Sequence, residues 1–155
     1  WRNPSVDRGR FTPLLVRTCV QLLASDGLSR EPMSNRILVV EDRDDLRTIL
    51  VGILRRFCGY ETIEAANGAE AIEKAVSEKP DLILMDLDLP DISGIDAAKA
   101  VKENPNTAHI PIVAQTAWSS RQWKGRVLRM GMVDYLEKPV SMELMKATIE
   151  KFIRP

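Results

Sequence analysis

Residues 82–90 of the chain read LILMDLDLP, an apolar run that ends at Asp86 and continues into a loop containing Pro90. A short continuous apolar run is typical of a strand buried on both faces, as in a parallel sheet. Three other apolar runs end in the same way. Residues 37–40 precede Glu41 and Asp42, residues 112–115 precede Thr116, and residues 133–137 precede Lys138.

The position of these polar residues predicts one shared site. In an open parallel α/β sheet the carboxyl ends of the strands lie along one edge, where ligands bind. Residues distant in sequence would therefore meet there as three carboxylates, a hydroxyl and an ammonium group. Such a group suits a divalent cation and a phosphoryl group.

The remainder of the chain predicts a doubly wound α/β domain. Strand-like runs alternate with amphipathic helical runs, which is the pattern of a parallel sheet covered by helices on both faces. The predicted strands are 37–41, 61–65, 82–86, 110–115 and 133–137, and the predicted helices are 44–58, 68–78, 93–103, 120–130 and 141–153. Ser93 and Ser141 are candidate helix caps.

The first predicted helix carries a continuous apolar stripe. Six apolar residues recur there at helical spacing: Leu46, Ile49, Leu50, Ile53, Leu54 and Phe57. This spacing predicts that the stripe is buried against the sheet.

Bulk properties indicate an ordinary soluble domain. Of the 155 residues, 45% are hydrophobic and 28% are charged, and the formal net charge is zero. No overall field therefore attracts nucleic acid or an anionic membrane, and the apolar runs are too short to span a bilayer. Two cysteines, Cys19 and Cys58, argue against a disulfide scaffold and for the cytoplasm. Cys58 is predicted to be a small core residue.

Residues 1–32 form a separate predicted segment. They contain scattered arginines and prolines and one interrupted apolar stretch, and Met33 lies just before the first strong strand. We interpret Met33 as the natural start, residues 1–32 as a disordered, partly helical or non-native extension, and residues 33–155 as the functional domain. A genuine helix over residues 13–24 is the main alternative.

The polar residues at the strand ends support phosphoryl-transfer chemistry. Asp42 and Asp86 offer carboxylates to Mg²⁺, and Glu41 can bind it through water or hold the others in place. Asp86 can attack a phosphoryl group and form an acyl phosphate, while Thr116 and Lys138 bind the transferred oxygens. Taken singly, these residues could instead be helix caps, a turn residue or solvated loop residues.

As a set, residues 36–153 resemble the receiver domain of bacterial two-component response regulators. The resemblance rests on residues 37–42 (ILVVED), 84–94 (LMDLDLPDISG), Thr116-Ala117 and residues 135–139 (YLEKP). It implies a flavodoxin-like fold of five β–α units, with a five-stranded parallel sheet between helices.

The resemblance also implies a role for each matched residue. Asp86 resembles the phosphoacceptor, and Glu41, Asp42, Asp86 and the backbone carbonyl of Asp88 resemble the Mg²⁺ site. Thr116 and Tyr135 resemble the switch pair and Lys138 the conserved lysine, followed by a cis bond to Pro139. The implied partners are a histidine kinase or histidine phosphotransfer protein, and a downstream protein that contacts the fourth helix, fifth strand and fifth helix. Direct nucleic-acid and membrane contacts are not expected.

Three further residues receive separate predictions. Trp118 is expected to shield the acyl phosphate and lengthen its lifetime. Trp123, on a fourth helix that also carries Arg121, Lys124, Arg126 and Arg129, either belongs to a solvated basic face or anchors an acidic partner. His109, the single histidine, is predicted to be a loop residue.

We therefore expect a single-domain response regulator that catalyses only its own phosphorylation and dephosphorylation and signals through protein contact. A receiver cut from a larger transcription factor or hybrid histidine kinase is the alternative. A haloacid dehalogenase-type phosphatase, which also has a second Asp two residues after its nucleophile, is a third possibility. In that family the nucleophile lies on the first strand, whereas Asp86 lies on the third predicted strand. The position of Asp86 therefore distinguishes a receiver from such a phosphatase.

Overall fold

Strands and helices alternate through the computed structural model, which describes residues 35–117 and 121–153. The elements in chain order are β1 (Arg36–Val40), α1 (Asp44–Phe57), β2 (Glu61–Ala65), α2 (Gly68–Glu78), β3 (Leu82–Asp86), α3 (Gly94–Glu103), β4 (Ile112–Thr116), α4 (Arg121–Arg129), β5 (Asp134–Glu137) and α5 (Met142–Ile149). The predicted extension at residues 1–32 and Trp118 lie outside the described residues. None of the described helices is both long enough and apolar enough to cross a membrane.

The five described strands form one sheet in the order β2-β1-β3-β4-β5. Every neighbouring pair is parallel, which confirms the predicted flavodoxin-like class. All residues of β3 and β4 are buried, whereas the edge strands β2 and β5 are partly exposed. The chain order reverses between β1 and β3, and ligands bind at such a switch point in open α/β sheets.

Alternation along the strands divides the core into two layers, because successive side chains of a strand point to opposite faces. On one face Leu38, Ile83 and Ala114 pack with residues of α2, α3 and α4. On the other face Ile37, Leu84 and Val113 pack with residues of α1 and α5. The sheet is therefore covered on both faces, as the sequence predicts.

Several element boundaries differ from the prediction by a single residue, and two differ by more. β4 begins at Ile112 instead of residue 110, because Pro111 has no N–H for the strand ladder, although its carbonyl accepts from Ile83 N at 2.9 Å. α5 ends at Ile149 instead of residue 153. Beyond it the backbone tightens into three-residue turns, in which Phe152 N donates to the Ile149 carbonyl at 2.9 Å.

The prediction that the whole apolar stripe of α1 is buried is wrong. Leu54 is fully buried, but Ile49 and Phe57 are 56% and 65% exposed, and Leu46, Leu50 and Ile53 are half-buried. A helix can bury only the side that meets the sheet, and α5 is only 8 residues long. Much of the apolar surface of α1 therefore borders an open groove.

Candidate functional site

The strand ends bring the predicted site residues together. β1 pairs with β3, so Glu41 and Asp42, directly after β1, lie beside Asp86 at the end of β3. β4 is the other neighbour of β3 and ends at Thr116. Lys138 follows β5, the neighbour of β4. Four separate parts of the sequence thus meet at one edge of the sheet.

A buried ion cluster occupies the centre of this edge. The Lys138 Nζ atom donates to Glu41 Oε2 and to Asp86 Oδ2, each at 2.7 Å. Glu41 is 1% exposed and Asp86 is 3% exposed. One ammonium group therefore bridges two carboxylates that are almost fully removed from water.

The electrostatics of the cluster follow from its burial. Burial raises the pKa of Glu41, and the Asp86 carboxylate adds to the rise, although Lys138 acts in the opposite direction. Burial alone would lower the pKa of Lys138, but its bonds to Asp86 and Glu41 outweigh that effect and the pKa is raised. Lys138 is therefore held as an ammonium group, and the pocket carries more negative than positive charge.

The carboxylates suit a divalent cation. Glu41, Asp42 and Asp86 each offer an oxygen, and these oxygens lie within 4.8 Å of one another. Glu41 and Asp86 are buried and Asp42 is exposed, so the group opens to solvent on one side. Oxygen donors at this spacing fit Mg²⁺, which keeps several waters while binding one or two carboxylates.

Asp88 stands at the rim of this group. Its backbone N–H donates to Asp86 Oδ1 at 3.0 Å and so orients the Asp86 carboxylate. Its own side chain is exposed. Partial removal from water and the nearby Asp86 charge raise the pKa of Asp88, which shows that the negative field of the site extends to the rim.

The loop after Asp86 is held against the rest of the domain at two points. Gly94 approaches β3 so closely that a Cβ there would lie 2.0 Å from the Asp86 carbonyl oxygen. Asp91 accepts from the N–H groups of Gly68 and Ala69 at the start of α2, at 2.9 and 3.0 Å. Those backbone bonds lower the pKa of Asp91 to about 2.

Thr116 lies at the inner end of the site. It is fully buried as the last residue of β4. Its carbonyl accepts from Lys138 N at 2.8 Å, which ties the two strand ends together. The Lys138–Pro139 bond is cis, as the resemblance implies.

Tyr135 lies on β5, on the same side of the sheet as α4. It is half-buried against the cluster of α2, α3 and α4, and its register partner on β4 is Ala114, two residues before Thr116. The Lys124 ammonium of α4 lies 5.7 Å from the centre of its ring. Tyr135 therefore connects the strand carrying Thr116 with the helix next to it.

The structure also tests the simpler interpretations of Glu41, Asp42, His109 and Cys58. The N-cap of α1 is Arg43, without a side-chain cap bond, so Glu41 and Asp42 do not cap that helix. His109 is exposed in a turn, as predicted. Cys58 is half-buried at the end of α1 and belongs to neither core cluster, so the prediction of a core residue is wrong. Burial still raises the pKa of its thiol, which disfavours the reactive thiolate.

The sequence reasoning missed two residues near the site. In the sequence Asp91 is part of a loop without an assigned role, although a carboxylate is a favourable partner for the N–H groups at a helix start. Gln115 is predicted only as a strand residue. The sequence does carry an indication of its importance. Gln115 is an amide in an otherwise apolar run that is predicted to be buried, and buried polar residues are unusual.

The comparison with protein families decides the assignment. Residues 37–150 match the response regulator receiver domain family. The chain belongs to this family. The family function is that of a phosphorylation switch in two-component signalling. Asp86 ends the third of the described strands and not the first, which also argues against the phosphatase interpretation.

Individual relatives agree with the family assignment. Over 121 residues this receiver is 36% identical to the polar-differentiation response regulator DivK of Brucella anthropi, covering 78% of this chain and 98% of that protein. Chemotaxis protein CheY4 of Vibrio cholerae is similar in structure, with a TM-score of 0.71, 29% identity, and coverage of 76% of this chain and 98% of that one.

A third relative carries a metal ion. The receiver domain of a Pseudomonas aeruginosa sensor histidine kinase has a TM-score of 0.71 and 31% identity, covering 77% of this chain and 97% of that one. Its structure has a magnesium ion coordinated in the active-site cleft.

Proposed function

We propose that Asp86 is the phosphoacceptor of this receiver and that its donor is a phosphohistidine of a histidine kinase or phosphotransfer protein. The observation that supports this role is the position of Asp86. It is the carboxylate that ends a central strand, contacts Lys138 and accepts an N–H bond from its own loop. Both of its oxygens are therefore oriented before a donor arrives, which is the positioning that phosphoryl transfer needs.

The transfer forms one bond and breaks one. A carboxylate oxygen of Asp86 attacks phosphorus, and the bond between phosphorus and the donor's imidazole nitrogen breaks. The nitrogen keeps the electron pair and takes a proton from solvent. The product is an acyl phosphate on Asp86, which water hydrolyses to regenerate the carboxylate. This receiver therefore catalyses only its own phosphorylation and dephosphorylation.

The proposed Mg²⁺ site consists of Glu41, Asp42, Asp86 and the backbone carbonyl of Asp88. When bound, the ion offsets the negative charge of the phosphoryl oxygens. Asp42 is exposed at the open side, where a hydrated ion can enter, and Glu41 is buried behind it. Glu41 also accepts from Lys138, so it holds the ammonium group in place.

Lys138 and Thr116 then hold the transferred group. The Lys138 ammonium lies 2.7 Å from Asp86 Oδ2, so a small movement brings it to a phosphoryl oxygen. Thr116 is one strand away, and its hydroxyl supplies a further donor. Because Thr116 is fully buried, its movement toward the phosphoryl group leaves space that a neighbour must fill.

Tyr135 is the proposed neighbour. It packs on the strand next to Thr116 and contacts the helix layer through Lys124. Repacking of its ring transmits phosphorylation to the surface of α4, β5 and α5, where a downstream protein binds. On that surface Arg126 stacks 4.7 Å from the Trp123 ring, and α4 has no acidic residue in its first turn, which favours an acidic partner. The zero net charge of the chain argues against nucleic acid.

The cytoplasm is the proposed location, and family membership supports it. In the same proposal residues 33–155 form the functional domain, and residues 1–32 are an extension that takes no part in the chemistry.

Intact mass after incubation with acetyl phosphate tests this function. With Mg²⁺ we expect the mass to rise by one phosphoryl group, and with EDTA we expect little increase. Asp86→Asn should abolish the adduct, whereas the matched variant Asp88→Asn, at the exposed rim, should retain it. The same adduct should form when a phosphohistidine donor is used in place of acetyl phosphate. An adduct that persists in Asp86→Asn, or its absence from the unmodified chain with both donors, would refute the assignment.

A further inference from the structure

A pocket of about 480 Å³ lies between α1 and the segment that leads from β5 into α5. Its apolar wall includes Leu46, Leu50 and Ile53 of α1, and Val140 and Met145 stand on the other side. Sites for small molecules typically measure ~300 to 1,000 Å³ and are mostly apolar with a few polar groups. The size and lining of this pocket are therefore those of a small-molecule site.

One polar side chain in the pocket has no hydrogen-bond partner in the described part of the chain. Gln115 lines it and is 1% exposed. Among the described residues, neither its Nε2 nor its Oε1 atom has a hydrogen-bond partner. Buried polar groups are nearly always paired, because an unpaired one loses its bonds to water without replacement. The buried amide of Gln115 is thus unusual, and a bound molecule can supply the hydrogen bonds that it lacks.

We propose that this pocket binds a small neutral molecule with an apolar body and an amide or lactam head that pairs with Gln115. The Gln side chain offers N–H donors and a carbonyl acceptor. An amide or lactam can accept a hydrogen bond from the former and donate one to the latter. A change of rotamer lets Gln115 present its amide to such a head. The apolar body lies along the uncovered part of the α1 stripe.

Charge at the rim favours a neutral ligand over an anion. The two cations that line the pocket, Arg43 and Lys138, are both paired. Arg43 contacts Asp45 at 2.7 Å, and Lys138 contacts Glu41 and Asp86. Glu41 also lines the pocket. A carboxylate head would therefore meet a buried acid and leave the Gln115 carbonyl unpaired.

This inference does not depend on phosphorylation of Asp86. The test uses hexanamide as the probe and ¹⁵N-labelled full-length chain. We expect saturable shifts at Gln115 and at residues of the pocket wall. N,N-dimethylhexanamide, which has no N–H donor, should bind several-fold more weakly. Gln115→Leu should weaken hexanamide binding about tenfold, the effect of one or two hydrogen bonds.

Thr62→Val provides the matched control. The Thr62 hydroxyl is another buried oxygen without a partner among the described residues, but it does not line this pocket. The substitution should leave hexanamide affinity unchanged. If Gln115→Leu fails to fold, Ile53→Phe serves as the test variant. Its larger side chain narrows the pocket from the half-buried wall and should weaken hexanamide binding by a similar factor.

Three outcomes would overturn the proposal. In the first, hexanamide shifts no pocket residue up to its solubility limit. In the second, it binds the Gln115→Leu and Ile53→Phe variants as well as the unmodified chain, so that neither the amide nor the pocket recognises it. In the third, sedimentation shows the ligand-free chain dimerising through Ile49, with Ile49→Glu restoring the monomer, because a second copy would then cover the groove.

Discussion

Lys138 is the residue on which the charge balance of the site depends. Its ammonium group contacts Glu41 and Asp86 at equal distances of 2.7 Å and is itself 25% exposed. Removing one partner of a buried ion pair costs more than the pair contributes, because the remaining charge stays buried without compensation. At this site two carboxylates would remain.

We expect Lys138→Met to lower the free energy of unfolding by about 3 kcal/mol at neutral pH without divalent cations. Because the folded pKa of Lys138 is raised above its reference value of 10.5, its stabilising contribution is complete at neutral pH. It is lost only as the pH rises through the folded pKa. Millimolar Mg²⁺ should recover part of the loss by supplying positive charge. Urea unfolding with and without Mg²⁺ measures both effects.

Lys151→Met is the matched control. Its exposed ammonium contacts Asp134 at 3.4 Å, and an exposed pair contributes only ~0 to 1 kcal/mol. Equal losses for the Lys138 and Lys151 variants would show that the buried cluster has no special energetic role.

At the scale of elements, the loop between β3 and α3 is fastened at both ends. Asp91 holds it to the start of α2, and Gly94 places the start of α3 directly against β3. Neither contact involves the reacting groups. Both determine where Asp86 and the backbone of Asp88 stand, so the geometry of the site depends on how neighbouring elements are joined.

Acid should weaken the Asp91 contact. The pKa of Asp91 is lowered from 3.8 to about 2 in the folded chain. A depressed carboxyl pKa stabilises the folded state above the unfolded pKa, and this contribution is lost as the pH falls from about 4 toward 2. We expect Asp91→Asn to be less stable than the unmodified chain at pH 7, with the difference shrinking over that window. Unfolding midpoints measured across the range would contradict this if the difference stayed constant.

Two glycine substitutions should act in opposite directions. In Gly94→Ala the new Cβ would lie 2.0 Å from the Asp86 carbonyl oxygen, and we expect a loss of about 3 kcal/mol because the backbone must shift. In Gly52→Ala, within α1, the Cβ meets nothing within 4 Å, and we expect a gain of roughly 0.5 to 1 kcal/mol from helix propensity. Chemical denaturation compares them, and a harmless Gly94→Ala would contradict the close packing.

At the scale of the whole molecule, the receiver is a sheet between two separate helix layers. Each layer forms its own apolar cluster, and both clusters consist of residues between Ile37 and Ile153. Residues Met33–Pro155 also form one compact unit. A domain with a complete core on both faces of its sheet is expected to fold by itself.

We therefore predict that a fragment of residues 33–155 unfolds cooperatively, with a free energy of unfolding within about 0.5 kcal/mol of the full chain, because both apolar clusters of the described residues lie inside it. Urea unfolding of both proteins makes the comparison. Limited proteolysis of the full chain should leave the same fragment. A fragment that is markedly less stable would show that residues 1–32 contribute to the fold, and the domain prediction would then be wrong.

The amino-acid sequence by itself determined the architecture and the membership of the site. Apolar periodicity is a local property, and it distinguishes buried strands such as residues 82–86 from amphipathic helices. Parallel strands end at one edge, so the residues after each strand had to meet there. For this reason Glu41, Asp42, Asp86, Thr116 and Lys138 could be grouped without coordinates.

Only the tertiary structure decided which of these groups touch. Lys138 bridges Glu41 and Asp86, and Asp91 reaches back 23 residues to Gly68. The half-uncovered stripe of α1 likewise appeared only in the folded chain, as did the Gln115 amide, which has no partner among residues 35–117 and 121–153. The apolar periodicity of the sequence shows which side of a helix or strand is apolar. Whether that side is buried, and which polar groups pair, depends on which distant elements cover it and how far each side chain reaches.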